Sequence, residues 1–385
     1  MTVTRPLSVA VIADLLEERW PSMDLVAEMV MAHAGRDGSP VTPVLMRPSF
    51  RPAMPLPRGI ERYAQRYWSY PRWLRRQPPA DVYHIVDHSY AHLAHGLPAQ
   101  RVVVTCHDTD AFRSLLPTGG RESALPRVLV RRVLAGLRRA AAVVCVSEVT
   151  RAELVGQSLV EADRTIVLPN GVHPACTTAP DADADAAAAA LTGQSTGAGI
   201  LHVGSTIPRK RIDVLLQTIE RLSAQRRDVS LWRAGGQFTP AQLAMVRELG
   251  LGDRITVMPF VSRPVLAALY RRAALVLLPS EREGFGLPVV EAMACGTPVV
   301  ASDLPVLREV GGAAAEYCAA GSPAGWAGRV LSLLDEREKS PERWAARQRA
   351  GIQRAAMFSW ERHGAAISRV YADVAAGFSR PKVRP

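Results

Sequence analysis

The sequence predicts an α/β protein of two doubly wound domains, each built on a parallel sheet covered on both faces. Three observations predict it. The 385 residues suffice for two cores of ordinary size. Short apolar runs alternate with helical patterns, stop at an Ala- and Asp-rich interruption, and then start again. Hydrophobic residues make up 48% and charged residues 22%, with both signs present, so each half can bury a core and disorder is excluded.

The first half gives strands over Ser8–Ala13, Val41–Met46, Val82–Val86, Val102–Cys106, Ala142–Val146 and Thr165–Leu168. Helical patterns cover Met23–Ala34, Leu125–Arg139 and Glu148–Gly156. Ser22 and Ser147 are placed to cap the first and last of these. Strands this continuously apolar suit a parallel sheet buried on both faces. Thr177–Gly199 offers little to anchor a core and reads as a surface linker. Its run Asp181-Ala-Asp-Ala-Asp looks like a metal-binding DxD motif, but no strand precedes it, so solvated linker is the expectation. Strands then resume over Ile200–Val203, Ser230–Arg233, Ile255–Val257, Leu275–Leu278 and Pro298–Ala301, and Pro323–Val374 is largely helical. The expected division is a first domain over 1–176, a linker over 177–198 and a second domain over 199–360. Two such domains put the carboxyl ends of their strands around a central cleft, where ligands bind in such folds.

The net charge of +11 favours an anionic partner. Nucleic acid, an acidic membrane surface and a nucleotide diphosphate all qualify, although much of the excess is an arginine-rich composition. Five cysteines, Cys106, Cys145, Cys176, Cys295 and Cys318, are odd in number and form no CxxC pair. They read as buried free thiols in a reducing compartment, not as a disulfide or zinc framework. The apolar run near the N-terminus fits a first strand better than a signal peptide. No segment approaches the roughly 18 to 20 apolar residues of a spanning helix. The expected location is the cytoplasm, with a peripheral position on the inner face of the plasma membrane as a further expectation.

The chemistry concentrates in Ala274-LVLLPSEREGFGLPVVEAMACGTPVVA-Ser302. A buried strand, Leu275–Leu278, ends at Pro279 and Ser280. A loop holding Gly284 and Gly286 follows, and Pro288 opens a helix that Gly296 and Pro298 stop. The loop therefore lies at a strand's carboxyl end. Its glycines let backbone N–H groups approach a ligand, and the helix N-terminus favours a diphosphate. Glu283 and Glu291 are too differently placed for a close acid/base dyad. They can accept hydrogen bonds from hydroxyls at the two ends of one extended ligand, such as a nucleoside-diphosphate sugar.

The string E-G-F-G-L-P-x-x-E-A-M-A-x-G-x-P-V-V resembles the signature of the family 4 retaining glycosyltransferases (glycosyl transferases group 1), which have the GT-B fold of two Rossmann-like domains facing a cleft. The resemblance implies that Glu283 contacts the donor sugar, that Glu291 holds the ribose, and that the backbone of Gly284, Phe285, Gly286 and Leu287 contacts sugar and phosphate. Leu201-HVGSTIPRKRIDVL-Leu216 resembles the family's phosphate-binding turn, which makes Gly204 and Ser205 donor contacts. Arg209 and Lys210 then neutralise the leaving diphosphate. Many members carry a basic residue directly after this glycine; here it is Ser205, and Arg211 is a candidate substitute. Pro259-Phe-Val-Ser262 places Val261 beside the base. Ile166-VLPNGV-His173 resembles the segment closing the first domain, with Asn170-Gly171 a turn in its own right. Phe358-Ser-Trp-Glu361 resembles the start of the last helix, expected over about 361–380 and crossing back to the first domain.

Acceptor-side candidates lie in the first domain. Val103-VTCH-Asp108 puts His107 just beyond a strand end, matching the family's histidine near the reacting sugar, with Asp108 either orienting its imidazole or capping the next turn. Asp87 and His88 could line the acceptor pocket. The stretch from Tyr83 to His95 holds four histidines; no completed metal-ligand pattern accompanies them, and the family resemblance implies no metal and no cofactor. The loop Glu17-ERWPSM-Asp24 lacks the glycines usual in the family, so Trp20 is expected to pack over the acceptor, with Ser22 nearby.

Between Arg47 and Arg76, eight arginines face one glutamate, interleaved with Tyr63, Tyr67, Trp68, Tyr70 and Trp73. Contact with anionic lipid, an acceptor-recognition loop and a plain solvated surface are the readings kept; no recognisable module supports nucleic acid. The expected activity is transfer of a sugar from a nucleotide donor to a hydroxyl of a glycan, lipid-linked or small-molecule acceptor, with retained configuration. The alternatives are a catalytically silent GT-B protein that binds a sugar nucleotide or a partner, and a pseudo-glycosyltransferase.

Overall fold

The computed structural model describes residues 5–50, 58–115, 124–193, 197–226 and 228–377. The chain divides into two compact units. One comprises Met1–Gly171 with Ser359–Pro385, the other Val172–Phe358.

The first unit holds strands β1 (Leu7–Ile12), β2 (Val41–Met46), β3 (Val82–Ile85), β4 (Val102–Cys106), β5 (Ala142–Cys145) and β6 (Thr165–Val167). They form one sheet in the order β2-β1-β3-β4-β5-β6, parallel throughout. The second unit holds β7 (Ala198–Val203), β8 (Val229–Ala234), β9 (Ile255–Val257), β10 (Leu275–Leu278), β11 (Val299–Ser302) and β12 (Glu316–Cys318). Its order is β12-β11-β10-β7-β8-β9, again parallel. Each sheet reverses its direction of growth once: between β1 and β3 in the first unit, between β7 and β10 in the second. At such a reversal the loops leaving two adjacent strands diverge to opposite faces and open a crevice at their carboxyl ends. The sequence pattern is sufficient for this because the central strands are apolar on both faces; β3, β4, β5 and β10 are buried along their whole length.

The strands expected from sequence are all present. β12 escaped because Glu316-Tyr-Cys318 holds no aliphatic or β-branched residue to signal a strand. The first helix runs Pro21–His33 with Trp20 at its N-cap and no side-chain cap. Pro21, with its φ already near helical values, takes the first helical position, so Ser22 lies inside the helix and is not its cap. Ser147 does cap its helix, accepting from the Thr150 amide at 3.0 Å.

Residues 177–198, expected as linker, contain the helix Ala182–Thr192. Alanine has the highest helix propensity, and Asp181 caps the first turn by accepting from the Ala184 amide at 3.1 Å. Ala184 and Ala188 are buried, Asp185 pairs with Arg271 at 2.6 Å, and Thr192 accepts from Arg272 at 2.8 Å. The composition that looked too weak for a core is a small-residue face docked on the helix Arg263–Arg272. The last helix, Trp360–Ala375, belongs to the first unit. It is tied there by Ser368, which accepts from the Gly35 amide at 2.9 Å, and by Tyr371, whose hydroxyl lies 2.6 Å from His84 Nδ1. Gly171 is required because Trp360 leaves no room; an added Cβ would sit 2.3 Å from its amide nitrogen. Among the described residues no helix is long and apolar enough to cross a membrane.

Candidate active site

In the second unit the loops leaving β7 and β10 meet at the reversal of the sheet. After β7 comes Gly204-Ser205 and a single turn of 3-10 helix, Pro208–Lys210. After β10 comes Pro279–Gly286, then the helix Leu287–Ala294. Gly286 caps that helix at φ 96°, a left-handed conformation that favours glycine, and an added Cβ would lie 2.7 Å from Leu307. Backbone bonding joins the loops: the Glu281 amide donates to the Arg209 carbonyl at 2.7 Å.

Their side chains converge on Glu283. Lys210 Nζ donates to Oε1 at 2.6 Å, Ser280 Oγ donates to Oε1 at 2.7 Å, and Arg209 Nη1 reaches Oε2 at 3.4 Å while donating to the Arg282 carbonyl at 2.8 Å. Burial pushes the Glu283 carboxyl up, but the Lys210 and Arg209 charges and the Lys210 and Ser280 hydrogen bonds outweigh it and hold it below the usual carboxylate range. The result is an ionised carboxylate clasped by two cations at the carboxyl ends of the sheet.

Glu291 lies in the helix that follows and is only 3% exposed. Tyr270 Oη donates to its Oε2 at 3.0 Å, and Arg263 lies 4.0 Å from Oε1. Burial dominates here and raises its carboxyl, with Arg263 and the Tyr270 hydrogen bond opposing. The environments of Glu283 and Glu291 therefore shift their carboxyls in opposite directions. Gly284, Phe285 and Gly286 are buried and Leu287 half-buried; Phe285 packs edge-on against Phe358 at 5.5 Å. Ser205 and Val261 are half-buried, while Phe260 beside Val261 is exposed. Arg211 pairs with Asp213 at 2.8 Å.

In the first unit the corresponding reversal lies between β1 and β3. Asp87, after β3, accepts from the Ser89 amide at 2.8 Å and from the Ser89 hydroxyl, and lies 3.3 Å from His88 Nδ1. Although burial opposes it, the charges of His88 and His107 and the Ser89 hydrogen bonds lower its pKa to about 2. The His107 amide donates to His88 Nδ1 at 3.3 Å, which leaves Nε2 as the nitrogen facing Asp108 at 3.8 Å. His107 itself points Nε2 at the Val86 carbonyl, 2.7 Å away, and burial lowers its pKa. Asp108 accepts from the Asp110 amide at 3.1 Å, which caps the turn, and its Oδ1 lies 3.8 Å from His88 Nε2. Trp20 is exposed and Ser22 half-buried.

Sequence reasoning missed Asp14, two residues past β1. Both its oxygens are buried without a hydrogen-bond donor, and burial with the neighbouring Asp87 raises its carboxyl well above the usual range. It also missed Ser280 and Tyr270 as supports of the two glutamates. An aspartate directly ending an apolar strand was the available signal for Asp14. The four histidines disperse: His84 lies between Tyr371 and Thr105, His92 against the Arg66 carbonyl and His95 against that of Arg132. Among the described residues no cluster of three or more metal-ligating side chains occurs.

The basic, aromatic stretch splits in two; residues 51–57 lie outside the described segments. Arg66 is drawn inward, pairing with Glu18 at 3.2 Å, donating to the Ser89 carbonyl and lying 4.1 Å from the Tyr90 ring centre. Tyr70 is fully buried, its hydroxyl donating to Ala13 and Met46 carbonyls. Trp68, 63% exposed, and Tyr63 remain outward, with Arg72 stacked 3.3 Å from the Trp68 ring centre.

Two doubly wound parallel sheets, each with ionised side chains at its reversal point, define a GT-B-type protein. Comparison with known proteins agrees. The family profile described as Glycosyl transferases group 1 matches residues 187–350, and that described as Glycosyltransferase Family 4 matches residues 25–175. A D-inositol 3-phosphate glycosyltransferase of Mycolicibacterium smegmatis is 38% identical over 210 residues, covering 51% of this chain and 46% of that protein. Sucrose-phosphate synthase from Thermosynechococcus elongatus superposes with a TM-score of 0.73 at 20% identity, over 96% of this chain and 99% of that one. Anabaena Alr3699/HepE in complex with UDP and glucose does so at 0.73 and 16% identity, over 95% and 99%. The chain belongs to the group 1, family 4 glycosyltransferases. It spans about half or less of the length of the curated relatives it matches.

Proposed function

We propose that the protein is a retaining glycosyltransferase that moves a sugar from a nucleoside-diphosphate donor to a hydroxyl acceptor. The observation that carries this is the Glu283 carboxylate clasped by Lys210 and Arg209 at the reversal of the second sheet. In this reading the donor diphosphate sits against Lys210, Arg209 and the backbone amides of Gly284–Leu287. The two cations offset the negative charge that develops as the glycosidic bond breaks, so charge neutralisation falls to side chains and not to a metal ion. Glu283 accepts from hydroxyls of the transferred sugar, and Glu291 from the ribose. The leaving phosphate takes the acceptor's proton, and the acceptor attacks on the same face of the sugar.

The family membership and the glycosyltransferase relatives support the activity class, and the UDP- and glucose-bound neighbour supports a nucleotide sugar as donor. Asp87, His88, His107 and Asp108 of the first unit are assigned to the acceptor side. A thermal-shift panel of UDP, GDP and ADP with their glucose and mannose conjugates tests the donor assignment. Stabilisation by one nucleotide series is expected; a flat panel at millimolar ligand would overturn it.

A further inference from the structure

Against the turn after β7 lies a charge that the donor reading does not use. Arg233 is the penultimate residue of β8, in register with His202 of β7. Its neighbours along the strand are apolar, and it is 0% exposed. Its guanidinium donates to the Gly204 carbonyl from Nη2 at 2.8 Å and to the Gly236 carbonyl from Nη1, lies 5.2 Å from the Phe238 ring centre, and leaves Nε without a partner. Among the described residues no carboxylate pairs with it. Burial lowers its pKa only to about 10, so it remains a cation at neutral pH.

His202 beside it is equally unusual. It is fully buried, and neither ring nitrogen hydrogen-bonds another residue. Burial together with the Arg233 and Lys210 charges lowers its pKa well below the usual histidine value. Its ring packs beneath Gly204, where an added Cβ would lie 3.3 Å from Cε1 and 3.7 Å from Lys210 Cε. Gly204 also has no room on its other side, because an added Cβ on Gly235 would sit 2.3 Å from its carbonyl oxygen. The turn is thus wedged between Arg233, His202 and Lys210, and only Lys210 among these has an anionic partner, Glu283.

A buried cation without a counter-ion costs several kcal/mol in a folded protein. Such an arrangement persists where a ligand supplies the missing charge. The residue directly after the glycine is Ser205, which carries no charge.

We propose that Arg233 is a positioning residue for the donor diphosphate: from behind the Gly204-Ser205 turn it supplies the positive charge that Ser205 does not, and the bound diphosphate is its counter-ion. The guanidinium does not touch the ligand. It holds the Gly204 and Gly236 carbonyls away from the phosphate and leaves a net positive field in front of the turn. The proposal rests on the reading of the β7–β10 reversal as the donor site.

The test is calorimetric binding to the full chain of UDP, ADP, GDP, their nucleosides and inorganic pyrophosphate. For the diphosphate that binds best, the ratio of its affinity to that of its own nucleoside is measured in wild type, Arg233→Met and Arg233→Lys. Arg233→Met is expected to lower that ratio at least tenfold while nucleoside affinity stays within threefold, and Ser205→Arg in the same background is expected to restore it. An equal fall in nucleoside and diphosphate affinity, or no fall, would overturn the proposal. Arg233→Lys keeps the charge but cannot hold both carbonyls. It is expected to retain the ratio within threefold, and a tenfold loss would overturn the proposal, so this variant decides the matter if Arg233→Met does not fold. If pyrophosphate binds wild type in an Arg233-dependent way and no nucleotide does, the sugar-nucleotide reading falls and the anion site stands. If neither pyrophosphate nor any nucleotide binds wild type, both fall.

Discussion

Lys210 Nζ donates to Glu283 Oε1 at 2.6 Å, and the two residues come from loops after different strands that meet only because the sheet reverses between them. Both side chains are largely buried, so neither can lose the other cheaply. Glu283→Ala leaves two cations without their carboxylate. It should destabilise the ligand-free protein by about 3 kcal/mol and lower kcat/KM with donor by about a hundredfold or more. Denaturant unfolding and initial-rate kinetics check the two effects separately.

The pH dependence follows from the sign of each shift. The folded Glu283 carboxyl lies below its unfolded value, so its contribution to stability is present above the unfolded pKa and is lost as pH falls through the folded one. Glu283→Gln should therefore flatten the acid limb of stability against pH. An unchanged acid limb would show that the clasp contributes no ionisation-linked stability.

Glu291 has the opposite sign. Burial raises its carboxyl, so ionised Glu291 costs stability, and that cost disappears as pH falls through the raised value. Glu291→Gln, which keeps an acceptor for Tyr270, should raise Tm at pH 8 and lose the advantage in acid. If Glu291 holds the ribose, the same variant should weaken nucleotide binding. A variant both less stable at pH 8 and unchanged in binding would contradict the assignment.

Asp14 makes the same argument in the first unit. Its buried carboxyl has no donor, and Asp87 raises it further. Asp14→Asn should stabilise the protein at pH 8 relative to wild type, whereas Asp87→Asn, which removes an acceptor from the Ser89 amide and hydroxyl, should destabilise it at the same pH. Paired melts at pH 8 read both signs.

The helix Ala182–Thr192 predicts a cost where a linker predicts none. Ala188 is 1% exposed, and Ala188→Asp buries an unpaired charge, which should cost about 3 kcal/mol. Ala186, two residues earlier and exposed, serves as the control.

The strands of both sheets, β12 excepted, were legible because short apolar runs need no tertiary context to be recognised. The loop after β10 was legible because its glycines, Pro288 and the two glutamates lie close in sequence. What could not be read was what depends on strand order. Nothing in the chain between Gly204 and Glu283 announces that β10 lies beside β7, so the Lys210–Glu283 clasp needed the sheet. Arg233 sat inside a predicted strand without its meaning being visible, because its isolation from carboxylates is a property of packing. The helix after Asp181 was missed for the opposite reason: its low-complexity composition hid a face that Arg271 and Arg272 hold in place.

The measurement that bears most directly on the central claim is hydrolysis or transfer from the stabilising nucleotide sugar by wild type and Glu283→Ala, followed by release of the nucleoside diphosphate. The account predicts release by wild type and a loss of a hundredfold or more in the variant. Equal release by both proteins would contradict it.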